Sequence, residues 1–156
     1  MIWMALLLGV DRYHVRRAAC ECARSVFGLV PDDETLRKAV DGAEAWARGT
    51  RKREPFLFAA PHRVGRDAAD SGNMAAAFAG SSAMAAGEEP AMAAFYSAVA
   101  QAALRVPEAF PRPWLSGPHV NEITATRIGG AALSDAHARC ADLVRACIPT
   151  DSCRWP

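Results

Sequence analysis

Sixteen of the chain's 34 alanines fall between Ala68 and Ala103. No other feature limits the fold so sharply. Alanine loses no side-chain entropy in a helix and is the strongest helix former. Val, Ile and Thr together supply only 19 of 156 residues, which is thin for a sheet protein. The chain therefore reads as all-α. The alanine run is broken at Gly87-Glu88-Glu89-Pro90, which predicts two helices, about 73–86 and 90–105. Small residues let neighbouring helices approach closely, so this pair belongs at the centre.

Other helices show as apolar residues recurring at helical spacing. Residues 11–27 carry Val15, Ala18, Ala19, Cys22 and Val26 on one side, with Asp11 as the cap and Gly28 and Pro31 closing the helix. Asp32 or Asp33 caps a second helix with the stripe Leu36, Ala39, Val40, Ala43 and Ala47 and with Trp46 at its edge. Gly49 supplies its left-handed stop. Pro61 leaves 56–71 ambiguous, and 119–129 favour no element. Val106–Pro118, with four prolines, reads as a loop. A last helix is expected from about Ser134 to Ile148, with Ala136, Cys140, Leu143, Val144 and Cys147 inward and a short tail from about 149. The expectation is one helical domain over residues 1–156, a bundle of about six to seven helices.

Eighteen basic against 17 acidic residues leave a net charge of +1. That excludes a globally basic nucleic-acid coat and a globally acidic mimic of DNA. No segment reaches the roughly 18 apolar residues that span a bilayer. Ile2–Val10 is short, has no positive charge before it, and reads as a core segment rather than a leader. The expected compartment is the cytoplasm. Five cysteines fit it as reduced, buried thiols. Cys20 and Cys22 point to nearly opposite sides of a helix, and Cys140 and Cys147 stand roughly 10 Å apart along one, so neither local pair can bridge.

His137 and Cys140 have a spacing that suits two zinc ligands, but no second pair completes a site. No nucleophile elbow, zinc-protease motif, phosphate loop or dinucleotide fingerprint is present. No catalytic residue, metal ligand or cofactor is assigned. Two charged stretches stand out: basic Arg48, Arg51, Lys52, Arg53, Arg63 and Arg66, and acidic Asp32, Asp33, Glu34, Asp41 and Glu44. Each reads first as a solvated face and second as a contact for an oppositely charged partner. Phe110, Trp114 and Leu115 in the proline-rich loop are either interface anchors or a lid folded onto the core.

The segment Ala19–Gly49 resembles the start of small, alanine-rich, all-helical bacterial proteins classed as immunity proteins of toxin systems. The resemblance rests on Cys22-Ala23, on Pro31-Asp32-Asp33, and on Ala45-Trp46-Ala47-Arg48-Gly49. The chain departs from that pattern at Glu34-Thr35 and after Gly49. Ala141-Asp142-Leu143-Val144-Arg145 is similar to a C-terminal helix of planctomycete helical proteins, which also begin with a cysteine-rich helix. Together these stretches cover roughly a quarter of the chain. The resemblance implies an all-α fold and a non-enzymatic protein that sequesters a toxin. The expected contacts are Arg51, Lys52, Arg53, Phe110, Trp114 and Leu115, with nucleic acid and membrane not expected as partners. Two other readings stand beside it: a scaffolding helical module, and a Cys/His metalloprotein or enzyme.

Overall fold

The computed structural model describes residues 2, 9–31, 33–50, 52, 56–107, 110 and 127–148. Six helices stand among them: α1 Arg12–Arg24, α2 Glu34–Ala47, α3 Phe56–Asp70, α4 Met74–Glu88, α5 Pro90–Arg105 and α6 Arg127–Cys147. A 3₁₀ turn, Phe27–Leu29, follows α1. No strand occurs among the described residues, and the fold is all-α. None of these helices is long and apolar enough to cross a membrane.

The alanine-rich pair sits where its composition places it. Twelve of the fifteen residues of α4 are buried, so this helix has no polar face to turn outward. It packs against α1, α2, α3 and α5. Its contact with α3 is made at the backbone. A Cβ added at Gly80 would lie 2.8 Å from Gly65 N and Cα and from the Pro61 carbonyl oxygen. One added at Gly65 would lie 2.9 Å from the Ala77 carbonyl oxygen. Only glycine fits at either position.

Pro61 does not interrupt α3, contrary to the ambiguity at 56–71. It removes the ladder bond that residue 61 would donate to residue 57, a local cost. The residue itself is fully buried, and its carbonyl faces Gly80, so tertiary packing decides the conformation. Three further expectations are corrected. α6 begins at Arg127, and Ser134 is an exposed interior residue rather than the cap, because Ala132 and Leu133 already bury before it. Gly28 does not close α1: the helix ends at Arg24, capped by Ser25, and Gly28 lies in the 3₁₀ turn. Asp33 occupies the N-cap position of α2, but its carboxylate accepts from Arg37 Nε at 2.9 Å instead of capping.

Other boundaries follow local chemistry. The Asp11 carboxylate accepts from Tyr13 N at 2.7 Å and caps α1. α2 and α3 end alike. Gly49 N and Thr50 N donate to Trp46 and Ala45 carbonyls, and Gly72 N and Asn73 N donate to Ala69 and Ala68 carbonyls. In both, a glycine at positive φ (72° and 84°) makes the reversal. Asn73 then starts α4 by accepting from Ala76 N at 3.1 Å. Trp46 is half-buried at the edge of its stripe, with the Arg16 guanidinium 3.9 Å above its ring.

α5 and α6 run antiparallel, since Arg105 lies opposite Asp135 and Gln101 opposite Arg139. One buried polar chain ties α4 and α5 to α1. The Ser82 hydroxyl lies 2.9 Å from the Ala93 carbonyl oxygen and 2.7 Å from the Ser97 hydroxyl, which lies 2.7 Å from the Cys22 carbonyl oxygen. Two hydroxyl protons serve three contacts, so the chain has two proton arrangements.

The glycine crossing sets a stability test. Gly80→Ala forces backbone apart and is expected to cost roughly 1–3 kcal/mol, despite alanine's better helix propensity. Gly28→Ala meets open space and an ordinary φ, so it is expected to be neutral or to stabilise by about 0.4–1 kcal/mol. Urea unfolding of both variants checks the contrast, and a neutral Gly80→Ala would contradict the close approach.

Candidate binding groove and buried thiols

The residues expected to touch a partner do not gather in one described place. Lys52 is exposed between α2 and α3. Phe110 is 1% exposed and its backbone N–H donates to the Pro107 carbonyl at 3.0 Å, so its ring belongs to the core and not to a surface anchor. Arg51, Arg53, Trp114 and Leu115 lie outside the described residues.

The acidic stretch is largely consumed within the molecule. Arg24 on α1 binds Glu21 at 2.7 Å and crosses to α2, reaching Asp41 at 2.8 Å and Glu44 at 2.6 Å. Burial alone would depress this guanidinium's pKa, but its bonds to Asp41 and Glu44 hold it well above the ordinary value. Further along α2, Asp33 pairs with Arg37 and Glu34 with Lys38. These exposed pairs hold both carboxyls below the usual range. Asp32 lies outside the described residues.

A concavity lies elsewhere, between the end of α1, the C-terminal half of α5, and α6. It has a volume of about 620 Å³. Leu29, Leu104 and Leu143 supply apolar wall, and Leu104 is 59% exposed. Its polar side is a connected row. Arg139 Nε donates to Gln101 Oε1 at 2.8 Å, Gln101 Nε2 donates to Ser25 Oγ at 3.3 Å, and the Ser25 hydroxyl donates to the Cys22 carbonyl at 2.6 Å. Gln101 thus fixes the Arg139 guanidinium by one edge. Arg139 Nη2 is buried, with no hydrogen-bond partner among the described residues. Arg105 on the same wall reaches Asp135 at 3.8 Å, and Asp142 is bound by Arg145. Such a row can receive an anionic group beside an apolar one.

A smaller cavity of about 300 Å³ opens on the other side of α6, where Phe95, His137, Cys140 and Val144 meet. The His137 ring stands 6.2 Å from Phe95, and burial lowers its pKa. Among the described residues no group of three His, Cys, Asp or Glu side chains is placed to hold an ion.

Cys20, Cys22, Cys140 and Cys147 are buried as thiols. Cys20 Sγ donates to the Val40 carbonyl at 3.7 Å, and burial pushes its pKa up to about 12. Cys22 and Cys140 face each other across the α1–α6 contact, with Cys22 Sγ 3.8 Å from the Cys140 carbonyl oxygen. The Cys140 side chain and burial raise the pKa of the Cys22 thiol, and Cys22 in turn lowers that of Cys140. Gln101 Nε2 also approaches Cys140 Sγ at 3.9 Å.

Sequence reasoning missed Ser25, Gln101 and Arg139. A usable signal was present: Gln101 is the one polar residue from Ala98 to Leu104, an otherwise small and apolar stretch of α5. No family model, curated protein or solved structure matches this chain.

The raised Cys20 pKa has a signed consequence. Above pH 9 the unfolded chain loses this proton, whereas the folded chain keeps it until about pH 12. The folded state then binds more protons, and stability falls as pH rises through that window. Removing the thiol in Cys20→Ala is expected to flatten the decline by about 1.4 kcal/mol per pH unit. Urea midpoints taken from pH 8.5 upward check this, and an unchanged slope would contradict the burial of that thiol.

Proposed function

We propose that this chain is a non-enzymatic binding protein that holds a protein partner at the α1–α5–α6 groove, in the manner of a toxin-sequestering immunity protein. The observation that carries the reading is Arg139 Nη2, buried in the wall of an open groove without an acceptor among the described residues. An unmet buried donor costs about 1–3 kcal/mol, more for a charged group. An incoming carboxylate relieves that cost with a charge-assisted bond, and the guanidinium is already oriented by Gln101. Leu104 offers exposed apolar area beside it, so one partner segment with an acidic and an apolar side chain satisfies both. The resemblance of Ala19–Gly49 to immunity proteins supplies the kind of partner. Lys52 and the Trp114–Leu115 segment are proposed as additional contacts, with Arg51 and Arg53 steering association by charge.

The test is co-expression with growth-arresting proteins encoded beside this gene, followed by titration of the purified pair. Restored growth and a saturable complex are expected. Arg139→Met and Leu104→Asp should each weaken the complex at least about tenfold, which is about 1.4 kcal/mol. Trp114→Ala should weaken it more than Lys52→Ala, whose effect falls mainly on the salt dependence. A folded Arg139→Met and Leu104→Asp pair that bind like the parent would remove the groove from the interface. Failure of every neighbouring product to bind would favour the scaffolding reading instead.

A further inference from the structure

Cys140 lines a cavity that is small and mainly apolar. Its neighbour across the helix contact is Cys22, which is fully buried and whose Sγ sits 3.8 Å from the Cys140 carbonyl oxygen. We propose that Cys140 and Cys22 form a peroxide-reactive dithiol, in which Cys140 meets a small uncharged hydroperoxide in the α5–α6 cavity and Cys22 resolves it into a disulfide joining α1 to α6. The division of labour follows from placement. Hydroperoxides are neutral and small, so a cavity of about 300 Å³ walled by Phe95 and Val144 has room for one. The thiolate is the reacting form, and Cys140 is the better placed to supply it. The neighbouring Cys22 thiol and the charge of the adjacent Arg139 both favour its thiolate, against the opposing effect of burial.

The chemistry balances in two steps. The Cys140 thiolate attacks one peroxide oxygen; the S–O bond forms, the O–O bond breaks, and the leaving alkoxide or hydroxide takes up a proton. The sulfur is oxidised to sulfenic acid and the peroxide is reduced to an alcohol or water. Cys22 sulfur then attacks Cys140 sulfur; the S–S bond forms, the S–O bond breaks, and the hydroxyl departs as water with the Cys22 proton. Neither Cys20, bonded to the Val40 carbonyl, nor Cys147, a further two turns along α6, makes this contact with Cys140.

The experiment treats the reduced full chain with a slight molar excess of hydrogen peroxide and then counts thiols after unfolding. The folded chain is expected to lose two of its five thiols and the mass of two hydrogens. Peptide mapping should place the new bond between Cys22 and Cys140. A folded Cys22→Ser variant should instead accumulate a sulfenic acid on Cys140 that a cyclic 1,3-dione traps. The wild-type mapping does not depend on that variant folding. Retention of all five thiols in the folded chain, under conditions that oxidise the urea-unfolded chain, would overturn the proposal. So would a disulfide mapped to any other pair, or a trapped sulfenic acid on a different cysteine.

Discussion

Everything in this bundle depends on how closely α3 and α4 approach. At Gly65 and Gly80 two helices touch through backbone atoms, with no room for a methyl group on either side. Such an approach buries little side-chain area per residue, because glycine and alanine have little to bury. What it provides is density. Helices set close together leave few voids, and many small van der Waals contacts replace the few large ones of a leucine-rich core. The consequence runs outward: α4 becomes a hydrophobic post with no polar face, and the other helices must wrap it. The larger apolar side chains, such as Leu36, Val40, Val99 and Phe110, then fill the spaces between the wrapping helices.

A core of small residues leaves specificity to be fixed by other means. Alanine faces slide over one another more readily than interdigitated leucines and isoleucines. Two polar devices set the register here. Ser82 and Ser97 lock α4 and α5 together and fasten both to the Cys22 carbonyl of α1. Arg24 fastens α1 to α2 through Asp41 and Glu44. The first device is fully buried and satisfied, so a shift of either helix would strand hydroxyls in an apolar interior. The second is partly exposed, and its contribution is directional more than energetic.

The parts of the fold legible in the sequence were those written locally. The alanine run, the break at Pro90, the stop at Gly49 and the inward stripes of α1, α2 and α6 are all properties of short segments. Where a tertiary contact outweighs local preference, sequence reasoning fell short. Pro61 argues locally against a helix, and only the α4 backbone lying beside it explains why the helix continues. Ser134 has the chemistry of a cap, but the preceding small residues already pack against the bundle. Asp33 has it too, and Arg37 takes its carboxylate. The groove was illegible for the same reason. Ser25, Gln101 and Arg139 come from three separate helices or their ends, and their row exists only once α1, α5 and α6 are docked. The facing thiols, 118 positions apart, share that origin.

The Cys22 carbonyl links these features. It belongs to the last turn of α1, where carbonyls have no partner within the helix. Two hydroxyls lie on it, Ser25 from the helix's own end at 2.6 Å and Ser97 from α5 at 2.7 Å. From Ser25 the row continues through Gln101 to Arg139 and the groove; from Ser97 it continues through Ser82 to the centre of the bundle. The Cys22 thiol meanwhile reaches α6 beside Arg139. The groove wall, the buried serine chain and the Cys22 thiol therefore meet at one turn of α1. A bond between Cys22 and Cys140 would constrain that turn against α6, and the orientation of Ser25, Gln101 and Arg139 depends on the same separation.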